Sequence, residues 1–221
     1  MRRQIASLHY LTQDLPGFTH TVQVRMACEA GVSWVQLRMK NTERDEWLQV
    51  AREVRAITRA YGATLIINDD AAIAKEAGAD GVHLGQTDMH WSDAVKMLGE
   101  KAIIGVSAHS WDELWKLKDA KVHYAGLGPF RFTSTKDKLD AVLGLAGIRD
   151  IMRMMQQHAF FLPVIAIGGI EQADVKPLME TGIAGIAVSG AINKSVHPQE
   201  AARQFLAELI NTFSENEMRN I

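Results

Sequence analysis

Asp69 and Asp88 each stand just past a short, mainly apolar run: Leu65-Ile66-Ile67-Asn68 directly precedes the first, and Val82-His83-Leu84-Gly85 precedes the second with Gln86 and Thr87 between. If those runs are β-strands, each delivers a carboxylate just past its tip. Neighbouring strands lie ~4.8 Å apart, so the two acids can converge on one hard cation. Two carboxylates that leave the other positions to water and phosphate oxygens form a magnesium pattern. In the competing reading Asp69 or its neighbour Asp70 is the N-cap of a following helix, and His83 is read as a structural strand residue rather than a ligand. A second group carries the opposite charge. In Val35-Gln36-Leu37-Arg38-Met39-Lys40 strand alternation puts Gln36, Arg38 and Lys40 on one face. An inward Arg and Lys are costly unless an anion meets them, which predicts a diphosphate site, although Lys40 also reads as the start of a solvated loop.

Three further places offer phosphate-binding groups. Ser107 closes the run 102–107 and suits either a hydrogen bond to a phosphate or ring edge or the capping of the next helix. A long loop runs from Gly126 to about Gly144 and carries Thr133, Ser134, Thr135 and Lys136. Loops beyond ~12 residues are uncommon unless they bind or cover something, and the Thr133 and Thr135 hydroxyls with the mobile Lys136 cation suit a phosphorylated ligand that must be enclosed; a disordered surface loop is the alternative. Small-residue turns then follow two apolar runs, Gly168-Gly169 and Ser189-Gly190, where glycine lets backbone N–H groups approach an anion closely.

These positions need elements to hold them. Apolar runs at 5–11, 34–38, 64–68, 81–84, 102–107, 122–126, 163–167 and 185–189 alternate with stretches of helical period. In 42–60, Trp47, Val50, Val54 and Ile57 recur at spacings of three and four and predict one buried stripe; in 110–120, Ser110 is the expected N-cap with Glu113 as capping-box partner. Repeated βα units predict an α/β fold with a parallel sheet, and about eight of them predict a (β/α)8 TIM barrel forming a single domain over residues 1–221. A doubly wound open sheet has the same alternation, but Leu11-Thr12-Gln13 follows the first run where a dinucleotide fold would place Gly-x-Gly-x-x-Gly. In a barrel, working residues sit at the C-terminal strand ends, and the loops after strands seven and eight often form a phosphate cup. The candidate groups occupy those places.

With 221 residues, 47% hydrophobic and 23% charged, the chain can close such a barrel around a packed core. Its 24 basic and 26 acidic residues leave a net charge of -2, which gives no reason to expect nucleic acid or an anionic membrane surface. The stretch after Met1, Arg2 and Arg3 is broken by His9 and ends at Gln13 and Asp14, too early for a secretory core, and no run reaches the ~18 apolar residues of a membrane span. The single Cys28 forms no internal disulfide and is expected to pack, in keeping with a cytoplasmic protein. The polar 214–221 segment is expected to fray, and a homo-oligomer is left open.

As an ordered set, Gln36-Leu37-Arg38-Met39-Lys40, Ile67-Asn68-Asp69, the segment 81–88, Gly105-Val106-Ser107, Gly126-Leu127-Gly128-Pro129, Thr133-Ser134-Thr135-Lys136 and Ala166-Ile167-Gly168-Gly169-Ile170 resemble the thiamine phosphate synthase family, over about Leu8 to Ile192. The resemblance implies a magnesium-dependent transferase of small phosphorylated substrates. It would join 4-amino-5-hydroxymethyl-2-methylpyrimidine diphosphate to a thiazole phosphate and release pyrophosphate, with diphosphate departing first. Arg38, Lys40, Ser107 and Lys136 would be catalytic, and Asp69 and Asp88 the metal ligands. Gln36, Asn68 and Ser107 would orient the pyrimidine or its diphosphate, while Thr133, Thr135, Gly169, Ser189 and Gly190 would hold the thiazole phosphate. The family more usually reads Val-Ser-Ala-Ile where this chain has Val188-Ser189-Gly190-Ala191-Ile192, a shift of the serine by one that leaves open whether its hydroxyl or only backbone N–H groups meet the phosphate. Three alternatives stand beside this expectation: a thiazole tautomerase-like barrel, an unrelated sugar-phosphate barrel, and a non-catalytic barrel that binds a phosphorylated ligand. The tautomerase would have no use for a diphosphate-bound metal, and neither of the other two accounts for the acid pair and the Thr-Ser-Thr-Lys loop together.

Overall fold

The computed structural model describes residues 5–132 and 141–219. Eight parallel strands, β1 (Leu8–Leu11), β2 (Trp34–Leu37), β3 (Thr64–Asn68), β4 (Gly81–Leu84), β5 (Ile103–Ala108), β6 (Tyr124–Leu127), β7 (Val164–Ile167) and β8 (Gly185–Val188), pair in chain order, and β8 returns to β1 to close the barrel. This is the expected α/β TIM barrel. All eight expected strands form, with ends moved by a few residues. The first begins at Leu8 rather than at residue 5, because its pairing with β8 starts at Leu8 opposite Ile186, and the Ser7 carbonyl accepts the Ile186 N–H at 2.8 Å.

Helices α1 (His20–Glu29), α2 (Arg44–Ala60), α3 (Ala71–Ala77), α4 (Trp91–Leu98), α5 (Trp111–Trp115), α6 (Gly144–Gln157), α7 (Val175–Met179), α8 (Gly190–Asn193) and α9 (Pro198–Arg219) follow the strands, with α8 and α9 both after β8. No helix among the described residues is long and apolar enough to cross a membrane. The α2 stripe is rotated from its expected centre. Leu48, Ala51, Val54, Ile57 and Thr58 are buried, while Trp47 and Val50 pack at the edge of the core, since large side chains can flank a stripe whose middle must admit Ala51 against the barrel. Ser110 caps α5 by accepting the Glu113 N–H at 3.2 Å, but the Glu113 carboxylate accepts the His109 N–H at 2.7 Å, one residue before the expected box position. Regular helix ends at Trp115 and not near 120, because Leu117, Lys118 and Ala120 donate to carbonyls three residues back and tighten the chain into turns.

Strand alternation produces two apolar layers. Outward residues such as Tyr10, Val35, Leu37, Leu65, Ile67, Val82 and Leu84 form one continuous core with the helices, and Leu11, Trp34, Ile66, Ile103, Tyr124, Ile165 and Ala187 fill the barrel itself. The barrel core is polar as well as apolar: His9, Gln36, Asn68 and His83 are also buried.

Candidate active site

Asp69 and Asp70 are adjacent, and the backbone assigns them different work. Asp70 caps α3, its Oδ1 accepting the Ile73 N–H at 2.8 Å. Asp69 takes φ +69°, a left-handed conformation that is strained for a residue with a side chain, and donates its N–H to the His83 carbonyl at 2.7 Å. That link between the ends of β3 and β4 turns the Asp69 carboxyl toward Asp88, with which it shares a hydrogen bond. Asp88 is held in place through its Oδ2, which accepts the Gly85 N–H at 2.6 Å. Burial first, then the charge and hydrogen bond of Asp88, push the Asp69 carboxyl up to about 6, against the opposing pull of Arg38 and Lys40. The expected convergence of the two acids is thus realised, with both cations near enough for their fields to reach it.

Arg38 and Lys40 lie past the end of β2 rather than within it, yet alternation persists, since Met39 between them is buried. Thr12, fully buried just beyond β1, steadies this segment: its hydroxyl accepts the Arg38 N–H at 2.9 Å. The Lys40 N–H reaches Asp14 Oδ2 at 3.3 Å, and Asp14 Oδ1 pairs with His20 Nε2 at 2.9 Å.

Below the acids, Gln36 Nε2 donates to Asn68 Oδ1 at 2.6 Å, so these two expected orienting residues touch. Ser107 Oγ lies 3.0 Å from His83 Nε2, and the other ring nitrogen of His83 lies 3.1 Å from the Tyr124 hydroxyl. Ser107 therefore does not cap α5; Ser110 does. Its carbonyl also accepts Gln86 Nε2 at 2.6 Å. His83 is a strand residue, as expected, but one whose ring joins β4 to β5 and β6.

At the far side of the rim the turns after β7 and β8 carry the remaining candidates. Gly168 has φ +106° and Gly169 φ +64°, and a Cβ on Gly168 would come within 2.9 Å of Pro129 Cα, so both the turn and the close packing require glycine. Ser189 immediately precedes α8, whose own bonds begin with the Ile192 and Asn193 N–H groups on the Ser189 carbonyl, leaving the Gly190 and Ala191 N–H outside that ladder. The Ser189 hydroxyl accepts Asn193 Nδ2 at 3.3 Å, while the buried Asn193 also bonds the Leu11 carbonyl at 2.9 Å and the Tyr10 hydroxyl. Thr133, Thr135 and Lys136 lie outside the described residues.

Sequence reading missed Thr12, Tyr124 and Asn193. Thr12 obeys the rule that exposed the others, a polar residue directly behind an apolar run, and could have been found. Tyr124 opens its strand and Asn193 sits inside a helix, so neither has a local signal. Among the described residues no group of three or more His, Cys, Asp or Glu gathers as a full protein cage for a metal ion. The paired Asp69 and Asp88 carboxylates are oxygen donors of the kind a hard cation takes, with its other positions left to water or ligand oxygens.

The family described as thiamine monophosphate synthase matches residues 11–192. A thiamine-phosphate synthase of Bacteroides fragilis is 41% identical over 200 residues, covering 90% of this chain and 98% of the relative. One from Flavobacterium johnsoniae is 44% identical over 189 residues, covering 85% and 89%. The solved thiamine phosphate pyrophosphorylase of Pyrococcus furiosus superposes with a TM-score of 0.83 at 29% identity, over 93% of this chain and 96% of that one. With a match that spans all eight strand tips from β1 to the turn after β8, the chain belongs to the thiamine monophosphate synthase family of transferases.

Proposed function

We propose that the protein joins 4-amino-5-hydroxymethyl-2-methylpyrimidine diphosphate to a thiazole phosphate, giving thiamine phosphate and pyrophosphate, and that it does so by releasing diphosphate first. The observation that carries this reading is the Asp69–Asp88 pair at adjoining strand tips, within the fields of Arg38 and Lys40. A carboxyl whose proton affinity is raised by a neighbouring carboxylate is a group that a divalent cation would relieve, so the donor set fits magnesium. Bound there, the ion would supply positive charge to the departing diphosphate oxygens.

In the first step the bond between the pyrimidine methylene and the diphosphate oxygen breaks, and its electron pair leaves with the diphosphate. Arg38 and Lys40, already beside the acid pair, neutralise the charge that grows there, a preorganised electrostatic contribution, and Lys136 is assigned to the same task on the family resemblance. The methylene cation is stabilised by its own aminopyrimidine ring, held by Gln36, Asn68 and Ser107. In the second step the thiazole nitrogen donates its lone pair to the methylene carbon. Gly169, Ser189 and Gly190 hold the thiazole phosphate through backbone N–H groups, with Thr133 and Thr135 assigned to the same phosphate on the family resemblance. No covalent enzyme intermediate is needed.

The reading places the work in the cytoplasm, which suits a chain whose only cysteine, Cys28, is buried with its thiol pushed up to about 11 by that burial and by the charge of Glu29. The deciding experiment mixes purified protein with both precursors and magnesium. Thiamine phosphate and pyrophosphate should form in equal amounts and formation should stop on chelation. Isomerisation of the thiazole phosphate that survives complete chelation, with no thiamine phosphate formed, would instead favour a proton shift on the thiazole phosphate alone.

A further inference from the structure

We infer that Arg131 and Asp174, which lie outside the reacting groups, are positioning residues that set the anion-binding shape of the turn after β7. The inference rests on the function proposed above and adds residues to it. The Arg131 N–H donates to the Gly168 carbonyl at 2.9 Å, and its guanidinium donates from Nη1 to the next carbonyl, that of Gly169. Two consecutive carbonyls are thus turned toward one residue. In a trans peptide the N–H points opposite to the carbonyl, so the N–H groups of Gly169 and Ile170 are both turned away from Arg131. Successive N–H groups facing one way form a concavity for an anion, and the positive φ of Gly168 and Gly169 is what permits it.

Holding two carbonyls on one side requires a fixed donor, and Arg131 is fixed from two directions. Its guanidinium makes a two-pronged pair with Asp174, with Nη1 to Oδ2 and Nη2 to Oδ1 both at 2.9 Å. It lies over the Phe130 ring at 5.0 Å. Asp174 in turn accepts the Glu171 N–H at 2.8 Å while Glu171 returns the bond to the Asp174 backbone, a reciprocal box at the start of the short 3-10 turn Gln172–Asp174. The Asp174 side chain is only 16% exposed against 45% for Arg131, so the carboxylate is the anchored partner and the arginine the arm it holds. Packing agrees: a Cβ on Gly169 would sit 3.0 Å from Arg131 Cβ, so the turn and the arginine backbone approach too closely for a side chain between them. A lysine could make one of these contacts but not the two-pronged pair together with the carbonyl.

The test is a split of steady-state constants. Arg131→Ala should raise KM for the thiazole phosphate roughly ten-fold, the usual reach of a residue acting through a ligand-binding group, with kcat and KM for the pyrimidine diphosphate within about two-fold of the parent. Arg131→Lys should recover part of the loss. Asp174→Asn should raise the same KM, and the double variant should be no worse than the poorer single one, since both act through one turn. Thermal melts check that each variant is folded at the assay temperature; if Arg131→Ala is not, Arg131→Lys and Asp174→Asn carry the comparison. Both KM values rising together, or an unchanged KM for the thiazole phosphate, would overturn the inference. A parent protein that makes no thiamine phosphate would sink the proposed function; calorimetric titration of parent and variants with the thiazole phosphate would then decide the inference by itself, with equal Kd values overturning it.

Discussion

Asp69 carries two unusual properties, a left-handed backbone tied to the His83 carbonyl and a proton affinity raised first by burial and then by Asp88. The shift has a consequence for stability. The folded carboxyl titrates at about 6 against an ordinary 3.8, so the metal-free fold holds that proton more tightly than the unfolded chain does. Its contribution is fully present below about 3.8 and is lost as pH rises through about 6. Magnesium must displace the proton, so thermal melts should show a larger stabilisation by magnesium at pH 8 than at pH 5. Asp88→Asn should weaken the pH dependence of the metal-free melting temperature without abolishing it, because burial, the larger cause of the shift, remains when the Asp88 charge is gone. Asp69→Asn and Asp88→Asn should each lower magnesium-dependent turnover by about a hundred-fold with the fold intact, the loss typical of removing one charge-stabilising group from a reacting centre. Unchanged rates in both would end the metal assignment.

The βα junctions are where neighbouring residues part company. Asp70 belongs to α3, whose first turn it caps, while Asp69 belongs to the rim. Asp70→Ala should therefore cost about 1 kcal/mol in chemical denaturation while leaving the response of turnover to magnesium concentration unaltered. A matching loss of magnesium dependence would mean that the two acids act as one unit. Sequence reading could identify the junction, because an apolar run followed by two acids marks a strand end. It could not decide which acid was the cap, since that choice depends on the φ of Asp69 and on the His83 carbonyl supplied by the next strand. Helix α2 shows the same limit, its period being legible while its rotation depended on what the barrel could admit opposite Ala51.

Closing eight short strands gives the molecule an interior that only certain side chains can share. Glycine at 105 admits the Tyr124 ring, because a Cβ there would lie 2.2 Å from Tyr124 Cζ. Tyr124 in turn meets His9 and Trp34 edge-on, at centroid distances of 4.9 and 5.7 Å, and its hydroxyl reaches His83. Gly105→Ala should thus be felt across the barrel, with a loss of about 1–3 kcal/mol in urea denaturation from overpacking and a displaced His83 beneath Ser107. A variant as stable as the parent, with unaltered turnover, would show that the interior has slack the contacts do not suggest.

The order of residues was enough to find eight strands, because a parallel sheet covered on both faces leaves uninterrupted apolar runs, and enough to mark Arg38, Lys40, Asp69, Asp88, Ser107 and the two small-residue turns, because polar groups directly behind such runs land on one rim. Which of those groups touch was beyond it. The bond between Tyr10 and Asn193 spans 183 positions, and the one between Gln36 and Asn68 spans 32. Such contacts follow from strand register and from the return of β8 to β1, both of which are settled by packing summed over the closed barrel and leave no trace in any local period.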